Sequence, residues 1–240
     1  MSHLREDLEW KLRWEERIQA VQSVLGETDP PRVVHPFAWR EYVLPGACAL
    51  TFAPNDCRND YLYMTLGLSQ PLLPSDPGYP WEFAIRAATQ CTWPADLLYQ
   101  LITQFLFSNG DMDYGYYFPL SFLHDNGGRL YAGLADDSTG VKRIGSIHGM
   151  YLWVDELGTQ FTTSSGGFRL LTVVGVTEDE DRLAQEATPA HLMLLFRILE
   201  VTQLCDPTRQ SVLKEPGASF EWSKLCDLSE EEVFDALTDN

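Results

Sequence analysis

Basic residues are scarce in this sequence. Seventeen Lys and Arg stand against 35 Asp and Glu, a formal net charge of −18 with histidine neutral. That balance excludes a general nucleic-acid binder, because neutralising phosphates needs a face rich in lysine and arginine. It disfavours attraction to an anionic membrane surface for the same reason. Long apolar runs are lacking too, and nothing approaches the ~18 consecutive apolar residues of a spanning helix. Residues 1–17 are heavily charged and contain no apolar core of the signal-peptide kind. The five cysteines (Cys48, Cys57, Cys91, Cys205, Cys226) are odd in number and form no CxxC pair, which argues against a disulfide framework or a zinc ribbon. The expectation is a reduced, cytoplasmic protein whose thiols mostly pack. Cys57, in the polar stretch 55–60, has the most reactive setting, and an ordinary loop cysteine is the plainer reading.

Familiar catalytic spacings are equally scarce. His3, His35, His124, His148 and His191 form no HxxxH pair, so local spacing supports no metal site. Asp111-Met112-Asp113-Tyr114-Gly115 begins like a calcium loop, but Gly115 fills the fifth position and Phe122 the twelfth, where oxygen ligands are required. Gly145-Ser146-Ile147-His148-Gly149 lacks the central serine of a nucleophile elbow. No GxxxxGK[ST] or GxGxxG occurs, so phosphates have no evident cradle. We assign no catalytic, cofactor or metal residue from sequence. The acid runs 178–181 and 230–232 read as solvated helix starts, where the helix dipole favours carboxylates.

What is present is globular: 240 residues, 45% apolar, 12% aromatic and 22% charged, enough to bury a sizeable core. Leu4, Leu8, Trp10, Leu12, Trp14, Ile18, Val21 and Leu25 recur near helical spacing over 2–25, and Gly26 can cap the helix. Its apolar face is expected on the protein's own core. Residues 47–53, 61–68 and 81–88 read as strands, the last two with period-two alternation and one buried face. Pro94 and Asp96 open a helix whose Leu97, Leu98, Leu101, Ile102 and Phe105 form a wide apolar stripe. Residues 111–129 read as an aromatic-rich loop. Short strands are expected at 129–134, 149–154 and 160–163, and a central one at 168–176, apolar on both faces. Thr188-Pro189 starts a helix that is apolar almost all round, and Ser229 with Glu232 makes a capping box. Strands and helices do not strictly alternate. The expected fold class is therefore α+β, a mixed twisted sheet flanked by helices, in one domain over 1–240.

Several segments together resemble the suppressor-of-fused family. Residues 61–69 (YLYMTLGLS) resemble its "yhyisfGLS" strand, and residues 81–86 (WEFAIR) its "fELTFR" strand. Thr92-Trp93-Pro94 matches its "PxWPxxLlq" helix start, Phe105 to Ser108 its "yvFxS", and residues 168–177 its "vxFlqivGVt" strand. The match covers about 49–199, with the N-terminal helix 2–25 and the extension 205–240 outside it. Physics accounts for these pieces as scaffold: Gly67 and Gly175 lie where a side chain does not fit, and Glu82 and Arg86 share a strand face, placed to pair.

The resemblance implies a non-catalytic protein-binding fold. Animal members hold a transcription factor in the cytoplasm by gripping an extended peptide between two lobes. Bacterial single-domain members are regarded as immunity proteins against toxins. This chain, short and without a second lobe, resembles the bacterial kind. Where the family carries glycine followed by aspartate or histidine, here Gly115 precedes Tyr116, so the animal peptide contact does not transfer. In its place Tyr114, Tyr116, Tyr117 and Phe118 cluster beside Asp111 and Asp113. Aromatics mixed with acids on a loop suit a hot spot for a partner. The alternative is that the rings cover a sheet edge as core. Three functions stand: a binder that neutralises a protein partner, a basic toxin in particular; a cytosolic regulatory adaptor unlinked to any toxin; and an unrecognised hydrolase using His148, Asp155 and Cys57. Under the first, acids at Asp111, Asp113 and 178–181 would steer a basic partner onto the binding face.

Overall fold

The computed structural model describes residues 2–27, 37–39, 42–44, 48–55, 58–69, 79–107, 112–120, 134–136, 142–203 and 205–238. In chain order the elements are α1 (Ser2–Leu25), β1 (Phe37–Trp39), β2 (Tyr42–Leu44), β3 (Cys48–Phe52), β4 (Tyr61–Leu66), β5 (Trp81–Ala87), α2 (Trp93–Phe107) and β6 (Tyr117–Pro119). They continue with β7 (Leu134–Asp136), β8 (Lys142–Ile144), β9 (Gly149–Val154), β10 (Phe161–Thr163), β11 (Gly166–Val176), α3 (Glu178–Glu186), α4 (Pro189–Ile198), a 3-10 turn (Val212–Lys214), α5 (Ala218–Leu225) and α6 (Glu230–Thr238). The main sheet has the order β3-β4-β5-β11-β9-β6, with β10 paired to β11. It is mixed, since β11 runs parallel to β5 while β3–β4, β4–β5 and β6–β9 are antiparallel. The expected α+β class, a mixed sheet flanked by helices, holds. The strands read from the sequence at 61–68, 81–88 and 168–176 lie in this one sheet as β4, β5 and β11.

The chain divides into two compact units, Met1–Asp113 with Val154–Thr172, and Tyr114–Trp153 with Val173–Asn240. In the first unit, Leu62, Met64, Leu66 and Ala84 join Leu50 and Phe52 in one cluster, closed by Val21 and Leu25 of α1 and by Phe161 and Phe168. The C-terminal half of the helix thus lies on the protein's own core, with Trp14 and Ile18 packed against it, whereas Leu12 of the same stripe is 56% exposed. It stops where Gly26 takes φ +91°, a left-handed position that glycine occupies without strain. On β5, Phe83 meets Phe105 of α2 edge-on at 5.5 Å, and Leu97, Leu98, Leu101 and Ile102 are buried beside it. With cover on both faces, β4 and β5 are buried from their second residue onward. The alternation in the sequence suggests one wet face, and tertiary packing overrides it.

The second unit is built around α4. Seven consecutive residues, Ala190 to Phe196, are buried, which matches a helix apolar all round. They pack with Tyr151, Trp153, Val174, Val176, Leu183 and Val233. Thr188 caps the helix by accepting the His191 N–H, and Pro189 occupies its first turn. α4 ends in a Schellman motif: the Val201 N–H donates to the Phe196 carbonyl at 2.8 Å and the Glu200 N–H to Arg197 at 3.2 Å. Glu200 fills the left-handed position at φ 53°, so the helix stops short of the apolar residues that follow. Gly175 is required by close approach, because a Cβ there would stand 2.8 Å from Cys205 Sγ and from Ile147 Cδ1. The capping box at α6 forms as expected, with the Ser229 N–H donating to Glu232 and the Glu232 N–H to Ser229 Oγ. α5 carries no signal strong enough to be expected from sequence.

Three local expectations are corrected. The stretch 111–129 is not all loop, since β6 pairs within it to β9, while 121–129 lie outside the described residues. Glu82 and Arg86 do not pair with each other. Glu82 accepts from Thr65 Oγ1 (2.6 Å), the Gly67 N–H (2.9 Å) and both the N–H and Oγ of Ser69 (2.8 and 2.7 Å). Arg86 pairs with Asp60, Asp155 and Glu156 instead. Finally, the acid run 178–181 is only half solvated: Glu178 and Asp179 are exposed, whereas Glu180 and Asp181 are buried.

Candidate functional site

The first unit carries a cavity of about 180 Å³ beside the start of β5. Its wall combines Tyr79, Trp81, Phe83 and Phe105 with Leu68 and Met112, and Asp113 and Pro80 stand at its edge. Pairing of β5 with β11, Trp81 opposite Arg169, fixes the entry to that strand. Phe105 is set edge-on to Tyr79 at 4.4 Å and to Phe83 at 5.5 Å, the arrangement ring quadrupoles favour. Phe83, Phe105 and Met112 are buried, Tyr79 and Trp81 partly exposed, and Asp113 exposed.

In the second unit, Tyr114 is 46% exposed. Its ring stands edge-on to Trp153 (5.9 Å) and Phe234 (5.8 Å), which stack on each other at 6.1 Å. Gly115, at φ +80°, makes the turn into β6. The turn is pinned to β9, since the Gly115 N–H donates to the Leu152 carbonyl (2.7 Å) and the Leu152 N–H to the Tyr116 carbonyl (2.9 Å). Tyr116 is partly exposed, with its ring 4.8 Å from that of Phe118, which is buried at 3% exposure. Tyr117 lies across Gly149, where any Cβ would stand 2.6 Å from its ring.

The Tyr117 hydroxyl donates to Asp181 Oδ2 at 3.0 Å, and the Tyr151 hydroxyl to Oδ1 at 2.9 Å. Gln185 Nε2 adds a third donor at 3.0 Å, and His148 Nε2 stands 3.7 Å away. Burial, then the Asp181 charge, push both phenols well above the ordinary tyrosine value. Asp181 thus ties β6 and β9 to α3. Glu180 beside it accepts both Nη atoms of Arg209 (2.6 Å each) and the N–H groups of Thr177 (2.8 Å) and Val212 (2.6 Å). In the first unit, Asp155 accepts from Thr172 Oγ1 (2.5 Å) and holds Arg86 Nε at 3.2 Å. Each of these carboxylates accepts hydrogen bonds from more than one element of its own unit and so links them.

Of the six residues singled out from sequence, Asp113 and Tyr114 are exposed, Tyr116 and Tyr117 partly so and Phe118 is buried. Asp111 lies outside the described residues. Of the hydrolase candidates, His148 faces Asp181, Asp155 is held by Arg86 and Thr172, and Cys57 lies outside the described residues. The described residues hold no group of three or more His, Cys, Asp or Glu fit to bind a metal, and no helix among them is long and apolar enough to cross a membrane. Sequence reasoning missed the aromatic wall of the cavity. Its one signal was Pro80-Trp81 at a strand start, which reads equally as scaffold.

The fold, a mixed sheet in this order with α2 following β5, is like that of solved suppressor-of-fused structures. No protein-family model and no curated protein matches the chain, but solved structures do. A chain of the Sufu–Fu complex crystal structure is 14% identical with TM-score 0.62, covering 88% of this chain and 96% of that one. A putative suppressor-of-fused homolog from Neisseria gonorrhoeae is 13% identical with TM-score 0.55, over 84% and 97%. Drosophila Suppressor of Fused is 18% identical with TM-score 0.50, over 74% of this chain and 45% of its own. At these identities the likeness is one of fold.

Proposed function

We propose that this chain is a non-catalytic protein-binding domain that neutralises or sequesters a protein partner, acting as a bacterial toxin-immunity protein in the cytoplasm. The observation that carries the reading is the fold, which is like a chain of the Sufu–Fu complex over nearly the whole of both chains. Two features support it. The buried carboxylates Glu82, Asp155, Glu180 and Asp181 are engaged in holding elements together. Tyr114 offers an exposed ring backed by Trp153 and Phe234, a rigid aromatic anchor of the kind that hot spots use. Steering of a basic partner falls to Asp113 and the exposed acids Glu178 and Asp179, since Glu180 and Asp181 are buried.

The test is co-expression with the toxin-like reading frame nearest the gene in the source genome. Rescue of growth by the wild-type chain, weakened by Tyr114→Ala with an unchanged melting temperature, is the expected result. No rescue, together with stable capture of a non-toxic cytosolic protein, would replace the immunity reading with the adaptor one.

A further inference from the structure

We propose that Tyr114, Phe234 and the first turn of α6 form the surface that receives an arginine of the protein partner; this rests on the protein-binding reading above and names the group bound and the segment that binds it. Tyr114 is 46% exposed, and its ring stands 5.8 Å from that of Phe234 and 5.9 Å from that of Trp153. Trp153 is buried and Phe234 half-buried against the core. The exposed ring thus rests on two that the core already holds, and little ordering is needed on binding. Phe234 belongs to α6, which Val233 anchors at 0% exposure. A helical side chain leans toward the N-terminus and covers the turn before its own Cα. The turn before Phe234 holds Glu230 and Glu231, its neighbours at i−4 and i−3 on the helix surface, and both are exposed. Glu232, the third acid of that turn, is taken up by Ser229 in the capping box. Among the described residues no lysine or arginine forms an ion pair with Glu230 or Glu231. Arg197 of α4 meets α6 at its opposite end, donating to the Ala236 and Leu237 carbonyls.

Aromatic surface beside exposed carboxylates calls for a cation that tolerates apolar contact. The guanidinium of arginine does, being more weakly hydrated than an ammonium, at home against aromatic side chains and matched to carboxylates. A leucine would meet the rings and leave both carboxylates unanswered. A second copy of this chain is a poor occupant, because its net charge of −18 sets like charge against like. Phe234, Glu230 and Glu231 all lie in the extension 205–240, outside the segments that resemble the family. The extension thus selects the partner, while the family-like scaffold supplies Tyr114.

The experiment needs no partner. The full chain is labelled with 3-fluorotyrosine, and its fluorine signal at position 114 is assigned through Tyr114→Phe. The protein is then titrated with N-acetyl-argininamide and with its neutral isostere N-acetyl-citrullinamide at constant ionic strength. The expected result is a saturable shift at Tyr114 with the arginine derivative, the citrulline derivative binding about two- to five-fold more weakly or not at all. Glu230→Gln with Glu231→Gln, α6 remaining folded by circular dichroism, is expected to weaken the arginine derivative about two- to five-fold and leave the citrulline derivative unaffected. Equal binding of the two derivatives to the wild-type chain would overturn the proposal, and that comparison needs no variant beyond the assignment. So would the absence of any shift at Tyr114, or arginine affinity unchanged without the two carboxylates. Any of these leaves the protein-binding reading standing. Failure of partner rescue, in turn, leaves the titration result intact.

Discussion

Replacing Glu180 with alanine is the sharpest probe of how the second unit is held. The carboxylate is 0% exposed and takes four donors: Nη1 and Nη2 of Arg209 and the N–H groups of Thr177 and Val212. Thr177 and Val212 are both buried, and each stranded N–H costs about 1–3 kcal/mol. Breaking a buried ion pair by removing one partner costs about 3–5 kcal/mol. The two figures overlap, because both contain the desolvation of the same groups. Arg209, with its side chain 14% exposed, also keeps its bond to the Gly175 carbonyl and can recruit water. The expected total is therefore about 3–5 kcal/mol, a fall in Tm of about 10 °C for a chain of this size. Urea unfolding followed by circular dichroism would measure it, with an unchanged m value confirming a native-state effect. The double variant Glu180→Leu with Arg209→Met should cost less than the sum of the two single changes, since neither charge is then left alone. A loss below about 1 kcal/mol for Glu180→Ala, or strict additivity in the double variant, would refute the linking role.

Three further outcomes are expected. Leu101→Ala, at a position 2% exposed on α2, should cost about 2–5 kcal/mol in urea unfolding; an unchanged midpoint would place that side chain outside the core. Glu200→Gly should stabilise by about 0.5–1 kcal/mol, because relief of the left-handed strain outweighs the extra unfolded-state entropy of glycine; destabilisation would mean the Glu200 side chain contributes more than its backbone costs. Tyr63, Tyr117 and Tyr151 have phenols raised by burial, Tyr63 to about 12. Their contribution to stability is full below the unfolded phenol value of about 10 and is lost as pH rises from there through the folded values. Ultraviolet titration should find at least three of the ten tyrosines silent until the chain unfolds. All ten ionising together near pH 10 with the fold intact would contradict the burial of these hydroxyls.

Much of the fold was written locally. α1 and its glycine stop, the start of α2 at Trp93-Pro94, the all-round apolar α4 and the α6 capping box are set by contacts a few residues apart, so periodicity and capping chemistry are enough to place them. The strands 61–66, 81–87 and 166–176 were legible as well, because β-branched and aromatic residues cluster there between turn residues. The family likeness, carried by five short segments in order, anticipated the fold that the solved structures share.

Tertiary structure alone decided the roles of the charged residues and the location of the cavity. Glu180 and Asp181 sit in a run that reads as a solvated helix start. They are buried because Arg209 arrives from 29 residues downstream to pair with Glu180, and Tyr117 and Tyr151 from 64 and 30 residues upstream to donate to Asp181. Glu82 and Arg86 share a strand face, yet each takes partners from other elements, because donors are supplied by whatever packs across the face rather than by neighbours along it. The cavity gathers Leu68, Trp81, Phe105 and Asp113 from four separate stretches of chain. A sequence records which side chains are available for a partner. The distances and burial that turn them into a linker, a wall or an exposed anchor exist only once separate segments have closed on one another.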